Sequence, residues 1–437
     1  MMSQIWRLKK GCEQRIRKGH PWVYAHELMG SIRNFRIQEV VELQDANGNF
    51  LARGYGNPKS KIVFRAMSFS SAEKNPLSPE SMYNKLIKSW RKRAELGFQS
   101  SFRLCYSEAD ELPGLIIDRF LVSKEGTVST DEHQVFAVQI LTAGIQKNIP
   151  DVLSLLKKVC EEAVKEGWSK IEWDKTSVIL RNDVKIRKLE GLEVELPRFL
   201  KVISGYEATD SWIKIKGTEQ DIFMNCDLYR GQKTGFFLDQ LGNISAAINI
   251  LKQKDSSFAK DSFKILDLCS YVGHWSVQVG SFLQKHNISA HTTLVDASRE
   301  ALLRAEKNVK NIHLEFESHC LDVLKDLDKL PSHQYDLVIA DPPAFVKSKK
   351  DIPMGKHAYM KLNSHAFRLV KPGGYVVSCS CSGLITEGDL LEAIEKAMRK
   401  NEVKGNLVTR GESAADHPKL PGFFEGSYLK MLMHQVL

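Results

Sequence analysis

Beyond about residue 200 the apolar residues gather into near-continuous runs, "FKILDLCS", "TTLVDAS", "YDLVIADPP" and "GGYVVSCSCS", with a helical pattern between each run and the next. Strands of this kind are buried on both faces and joined by helical crossovers, which predicts a parallel, doubly wound sheet. Upstream the rhythm changes. Over the first 70 or so residues short extended runs alternate apolar and polar positions, and "QEVVELQDANGNFLARGYG" breaks at Asn47-Gly48, a strong hairpin signal. "SPESMYNKLIKSWRKRAEL" then has apolar residues at helical spacing, with Ser78, Pro79 and Glu80 resembling a helix start. From about 101 to 195 the strand patterns "FRLCYSE", "GLIIDRF", "QVFAVQILT", "KIEWDK" and "SVILRND" surround the amphipathic helical pattern "IPDVLSLLKKVCEEAVKEG".

The predicted architecture is multidomain α/β. A β-rich module covers 1–75, a helical linker 76–100, a central α+β domain 101–195, and a Rossmann-like doubly wound domain 196–437. A chain of 437 residues, 43% of them hydrophobic, can bury several cores. Its formal charge of +9 favours a polyanionic partner. The eight cysteines include no C-x-x-C pair, and no apolar stretch suits a signal peptide or a membrane span. A cytoplasmic protein with reduced thiols, no metal and no membrane partner is expected.

The chemistry gathers at the strand ends of the last domain. In "ILDLCSYVGHWSV", Asp267 ends the first strand and Gly273 falls in the turn before a helix, where a doubly wound fold admits a ligand beside exposed backbone N–H groups. The G-x-G-x-x-G spacing is absent, which argues against an NAD site. Asp296 of "LVDAS" stands where a carboxylate would hold ribose hydroxyls, and Asp322 of "CLDVL" follows a less obvious third strand. "DLVIADPPAF" ends the fourth strand at Asp341, and its two prolines hold the following loop extended. Each strand-end carboxylate has a bland alternative as a helix cap; the four together point to a class I S-adenosylmethionine-dependent methyltransferase domain. Cys379 and Cys381 lie on one side of the next strand, so alternation cannot choose between them. Cys381 is nearer the C-terminal tip, where the ligand crevice lies, whereas a cysteine deeper in the strand is packing.

These motifs identify a resemblance that runs nearly end to end. "RIRKGHPWVYAHEL" and "GYGNPKSKIVFR" resemble a PUA module, and "YSEADELPGLIIDRF" a central-domain signature; "TGFFLDQ", "DLCSYVGHWSV", "DPPAF", "SCSG" and "DHPKLPGFFEGSYLK" follow in the order of a catalytic domain. The chain resembles the bacterial PUA-domain methyltransferases that modify cytosine C5 in 23S ribosomal RNA. That resemblance implies S-adenosylmethionine as cofactor, Cys381 as nucleophile through a covalent adduct at C6, and Asp341 as the residue contacting the cytosine. It places Gln240, Asp267, Ser270, Gly273, Asp296, Ala297, Asp322, Val323 and Asp341 around the cofactor. Trp22, Lys59, Lys61 and Arg65 of the N-terminal module are the candidate contacts to large-subunit ribosomal RNA, bound by a monomer or a homodimer. The chain departs from the family pattern at Leu241, where an Arg is usual, and at Cys269, Val272, His274 and Trp275. Two rival readings are a base-nitrogen methyltransferase using the DPPAF loop and a non-catalytic RNA-binding ribosome assembly factor.

Overall fold

The computed structural model describes residues 4–30, 35, 39–123, 126–128, 131–149, 151–253 and 262–437. Three sheets follow one another along these residues. The first takes β1 (Gln4–Arg7), β2 (Trp22–Tyr24), β3 (Val40–Gln44), β4 (Phe50–Gly56) and β5 (Ile62–Ser68), with α1 (Glu13–Arg17) between β1 and β2, in the order β1-β3-β4-β5-β2. The β3–β4 reversal falls at Asn47-Gly48. Gly48 has a φ of +87°, and the Asp45 carboxylate accepts the backbone N–H groups of Asn47 and Asn49 at 2.9 Å.

The helix α2 (Pro79–Glu95) starts where Ser78 and Pro79 place it: the Ser78 hydroxyl accepts from the Ser81 N–H, and Pro79 occupies the first turn. It packs Met82, Leu86 and Trp90 into the core of the second sheet. That sheet is built from β6 (Phe102–Tyr106), β7 (Leu115–Ser123), β8 (His133–Ile140), β9 (Thr176–Leu180), β10 (Arg198–Lys201), β11 (Ser211–Ile215) and β12 (Ile222–Cys226), with α3 (Ala143–Asn148) and α4 (Val152–Lys165) between β8 and β9. Its order is β10-β9-β8-β7-β11-β12, with β6 against β7. The boundary expected at 195 therefore does not coincide with an edge of this sheet, because β10, β11 and β12 pair back into it. Ile213, Ile215 and Met224 also share one apolar cluster with Ile244, Val272 and Phe282, so the joint between the second and third sheets is a packed core.

After α5 (Leu241–Lys252), the third sheet alternates strand and helix: β13 (Phe263–Leu268), α6 (His274–Lys285), β14 (Ala290–Asp296), α7 (Arg299–Asn311), β15 (Glu315–Cys320), β16 (Tyr335–Ala340), α8 (Ile352–Leu369), β17 (Val370–Ser380) and α9 (Glu387–Lys400). The order is β15-β14-β13-β16-β17-β19-β18, and its first five strands are parallel. The sheet is not wholly parallel: β19 (Lys430–Val436) lies antiparallel between β17 and β18 (Gly405–Gly411). The chain returns from β18 to β19 without a helical crossover, and an antiparallel pair is what such a return permits. No helix among the described residues is long and apolar enough to cross a membrane.

Buried ion pairs lock the three units together. Arg65 of β5 bonds Glu108 at 2.7 Å and Glu190 at 2.9 Å, both in the central unit. Arg93 of α2 pairs with Asp110 at 2.7 Å and donates to the Asp416 carbonyl at 2.8 Å. Arg103 holds Asp118 through two bonds of 2.8 Å, and the Thr234 hydroxyl completes that carboxylate. Removing one partner leaves a buried charge without compensation. Arg65→Ala, which strands two carboxylates, should cost about 3–5 kcal/mol; chemical denaturation that showed no change in midpoint would mean the joint is held by other contacts.

Candidate active site

The strand order reverses at β13, with β14 on one side and β16 on the other, and there the connecting loops part to leave a crevice beyond the carboxyl ends of the strands. A cavity of about 540 Å³ fills it. Its walls are largely apolar, with Phe236, Phe237, Tyr271, Trp275, Pro342 and Phe345, and Gln240, Asp296, Asp322, Asp341 and Cys381 bring polar groups to it. That mixture and size suit a small molecule with a few oriented polar groups.

The loop from β13 to α6 forms one end. Cys269, Tyr271 and Gly273 are all left-handed, at φ of 63°, 49° and 80°. Two of the three are not glycine, and such backbone persists only where its surroundings over-determine it. Here the Ser270 N–H donates to the Val295 carbonyl at 3.0 Å, the Tyr271 N–H to Asp296 at 2.9 Å and the Asn308 side chain to the Val272 carbonyl at 2.8 Å. A Cβ on Gly273 would meet Ala305 of α7 at 3.3 Å.

The groups at this end fit an adenosyl ligand. The Asp296 carboxylate is fixed by the backbone N–H groups of Tyr271 and Ser298, at 2.9 and 2.8 Å, and faces the cavity from the tip of β14. Each carboxylate oxygen retains acceptor capacity for a ribose hydroxyl. Asp322 and Val323 line the cavity beside Leu321 and Leu324, a polar edge next to an apolar slot for a flat ring. The Ser270 hydroxyl is buried and has no partner among the described residues, an unsatisfied group on the cavity wall that a ligand would complete.

At the other end β16 and β17 run side by side, and Asp341 and Cys381 follow their tips. Gln240 donates its amide to both Asp341 oxygens, at 2.8 and 2.7 Å, and the Trp275 indole donates at 3.1 Å. Burial pushes the Asp341 carboxyl up to about 7 against the pull of the Trp275 hydrogen bond. The Cys381 thiol lies 3.9 Å from the Pro342 carbonyl. Burial raises it to about 11, with the Asp341 charge adding and Lys233 opposing. Lys430 of β19 clamps the next loop by donating to the carbonyls of Ser382 and Ile385, at 2.8 and 2.7 Å. Cys379 is 1% exposed within the sheet and does not line the cavity.

Several residues expected at the site stand elsewhere. Asp267 is fully buried beneath the cavity, where it accepts from the N–H and hydroxyl of Ser276. It holds the start of α6, and burial raises its carboxyl to about 7. Gly273 shapes the loop without lining the cavity. Gln240 does line it, with its amide committed to Asp341. Ser270, Ala297, Val323 and the carboxylates Asp296, Asp322 and Asp341 come together as expected. Arg65 is 8% exposed and spent on Glu108 and Glu190, so it is not placed to meet a phosphate. Trp22 is half-buried and donates to Glu108 at 2.7 Å, whereas Lys59 and Lys61 are exposed. Of the departures, Leu241 opens α5 and packs against the central core, away from the cavity. His274 lines the cavity with its ring 4.7 Å from that of Phe236, and burial lowers its pKa to about 3, so it is neutral there.

One cluster escaped the sequence reading. Lys233 lines the cavity, pairs with Asp239 at 2.7 Å and sits over the Phe237 ring at 4.3 Å; Tyr428 bonds the same Asp239. The signal available was the position of Lys233 immediately before "TGFFLDQ", a stretch matched by resemblance but not read for charge.

Comparison with known proteins agrees with this geometry. Residues 7–69 match a model described as a PUA-like domain, and residues 259–430 one described as a methyltransferase domain. A Streptococcus mutans structure described as a SAM-dependent methyltransferase candidate superposes with a TM-score of 0.71 at 18% identity, covering 99% of this chain and 100% of that one. A methyltransferase candidate solved with SAH also gives 0.71, at 17% identity and the same coverage. The fold is thus that of class I methyltransferases, and the cofactor is S-adenosylmethionine. Curated relatives named "Ribosomal RNA large subunit methyltransferase I" include one from Aliivibrio fischeri, 29% identical across 97% of each chain. Another, from Photobacterium profundum, is 30% identical across 98% of each, and at that identity over that length this chain belongs to the ribosomal RNA large subunit methyltransferase I family.

Proposed function

We propose that this chain transfers a methyl group from S-adenosylmethionine to C5 of a cytosine in large-subunit (23S) ribosomal RNA, through a covalent bond between Cys381 and C6. The observation that carries the reading is the placement of Cys381 and Asp341 at the tips of adjacent parallel strands, on the same cavity that Asp296 and Asp322 enter from the other end. The RNA part is supported by the names of the curated relatives and by the PUA-like domain.

Cytosine C5 is a poor nucleophile, and nucleophilic catalysis divides the difficult step in two. The Cys381 thiolate bonds to C6, the C5–C6 pair shifts into C4–C5 and the C4–N3 pair onto N3, which takes a proton from Asp341, leaving C5 an enamine carbon. S-adenosylmethionine, when bound, supplies the methyl group and a permanent positive charge on sulfur. A base then takes the C5 proton, its electron pair forms the C5–C6 bond, Cys381 leaves as thiolate, and Asp341 retakes the N3 proton. A carboxyl titrating at about 7 suits the giving and retaking of that proton at neutral pH. The thiol at about 11 is protonated at rest, so its activation depends on added positive charge, from Lys233 and from the sulfonium. The target base must be unstacked to reach the cavity, at a few kcal/mol if it is paired.

Cys381→Ala should abolish methyl transfer with cofactor affinity unchanged, while Cys379→Ala should keep turnover and lose on the order of 1 kcal/mol of stability; a 5-fluorocytosine substrate should trap the enzyme through Cys381, and peptide mapping of the adduct to Cys379 would overturn the assignment. Asp296→Ala should weaken S-adenosylmethionine binding by about 1–3 kcal/mol in calorimetric titration, and unchanged affinity would place the ribose elsewhere. Without cofactor, alkylation of Cys381 by iodoacetamide should be slow at neutral pH and rise with an apparent pKa of about 11, because the thiolate that reacts forms only as pH climbs through that value. Digestion of the modified RNA should yield 5-methylcytidine, and an N-methylated nucleoside in its place would favour chemistry at a base nitrogen.

A further inference from the structure

The segment "PGFFEGSYLK" runs from the N-terminal module to the cavity, and its two phenylalanines are treated in opposite ways. Phe423 is 6% exposed, packed edge-on against Trp22 at 4.7 Å and His20 at 5.4 Å. Phe424 is 83% exposed. The loop that carries it is braced throughout. A Cβ on Gly422 would fall 2.1 Å from the Lys18 carbonyl oxygen, so that residue lies directly on the first module's backbone. Glu425 faces His20 at 3.3 Å, and the Gly426 carbonyl accepts from the Tyr106 hydroxyl at 3.3 Å. Further along, Tyr428 bonds Asp239 and Leu429 lines the cavity.

An exposed ring on a loop so fixed has already lost the freedom that binding would otherwise remove. Phe424 and Leu429 are five positions apart, and an extended chain spans at most about 3.3–3.6 Å per residue, so the Phe424 backbone lies within about 18 Å of that of Leu429 on the cavity wall. Lys18, whose backbone the loop touches, is exposed and makes no ion pair among the described residues. A bare aromatic face near a free cation, between an RNA-binding type of module and a base pocket, has the composition of a single-strand platform, in which rings take base faces and ammonium groups take phosphates.

We infer that Phe424 is a stacking platform for an unpaired base of the RNA strand that delivers the target nucleotide, with Lys18 meeting a neighbouring phosphate. This rests on the reading of the substrate as RNA, and the platform keeps the flanking strand from re-forming its own stack while the target base is withdrawn. The test is equilibrium binding of the full-length chain to 23S ribosomal RNA transcribed in vitro, read by filter retention without methyl transfer. Phe424→Ala should weaken binding about tenfold, within the range for losing one stacked base, and Phe424→Trp should restore it. Lys18→Gln should lower the slope of log Kd against log salt by about 1. Unfolding midpoint and S-adenosylmethionine affinity should not move in any of these variants. Wild-type affinity in Phe424→Ala, or no RNA binding by the wild-type chain, would overturn the platform. If binding depends on Phe424 while no cytosine is methylated, the platform stands and the cytosine-C5 reading falls.

Discussion

The Cys381 end of the cavity depends on one buried contact, the Asp341 carboxylate held by Gln240 and Trp275. Those donors come from the turn into α5 and the first turn of α6, so a single side chain fixes three segments around the tip of β16. A carboxyl in so apolar a site would protonate fully if it had no donors, and would stay ionised with a cationic partner. Burial, opposed by the Trp275 indole and the more distant Lys233, leaves it between these limits, at about 7. Cys381 is buried in the same site, and that burial, with the Asp341 charge adding to it, holds its thiol protonated.

The central unit serves this geometry from behind. Arg103, Asp118 and Thr234 fix the approach to the "TGFFLDQ" segment, and Arg93 reaches the Asp416 carbonyl. Buried ion pairs such as these pay heavily in desolvation, so they are poor sources of net stability and good sources of unique alignment. A pocket whose walls are loops braced from behind by a second unit needs alignment more than it needs stability.

Much of this was legible from pattern. The parallel strands announced themselves because both faces are buried, the hairpin because Gly48 needs a positive φ, and α2 because Ser78 and Pro79 satisfy its first turn. The strand-end carboxylates Asp296, Asp322 and Asp341 were found because a parallel sheet exposes ligands at its tips. The same rule misplaced Asp267, since a residue one step before the strand end looks identical in sequence and yet lies under the helix. Arg65 and Trp22 read as surface groups because their partners, Glu108 and Glu190, are distant in the chain. β10 to β12 read as part of the catalytic unit for a similar reason: strand pairing is non-local, and composition does not say which sheet will take a strand.

The segment from Asp416 to Leu429 has a temporal implication. It closes the seam between the first two units through Asp416, Phe423 and Glu425, and it also finishes the cavity through Tyr428 and Leu429. During synthesis the earlier units emerge first and fold as they appear, but the wedge that joins them is translated after both. Until it arrives, the nascent protein holds a sheet and strand tips without a finished pocket, so the completion of the seam and the completion of the reaction chamber become the same event.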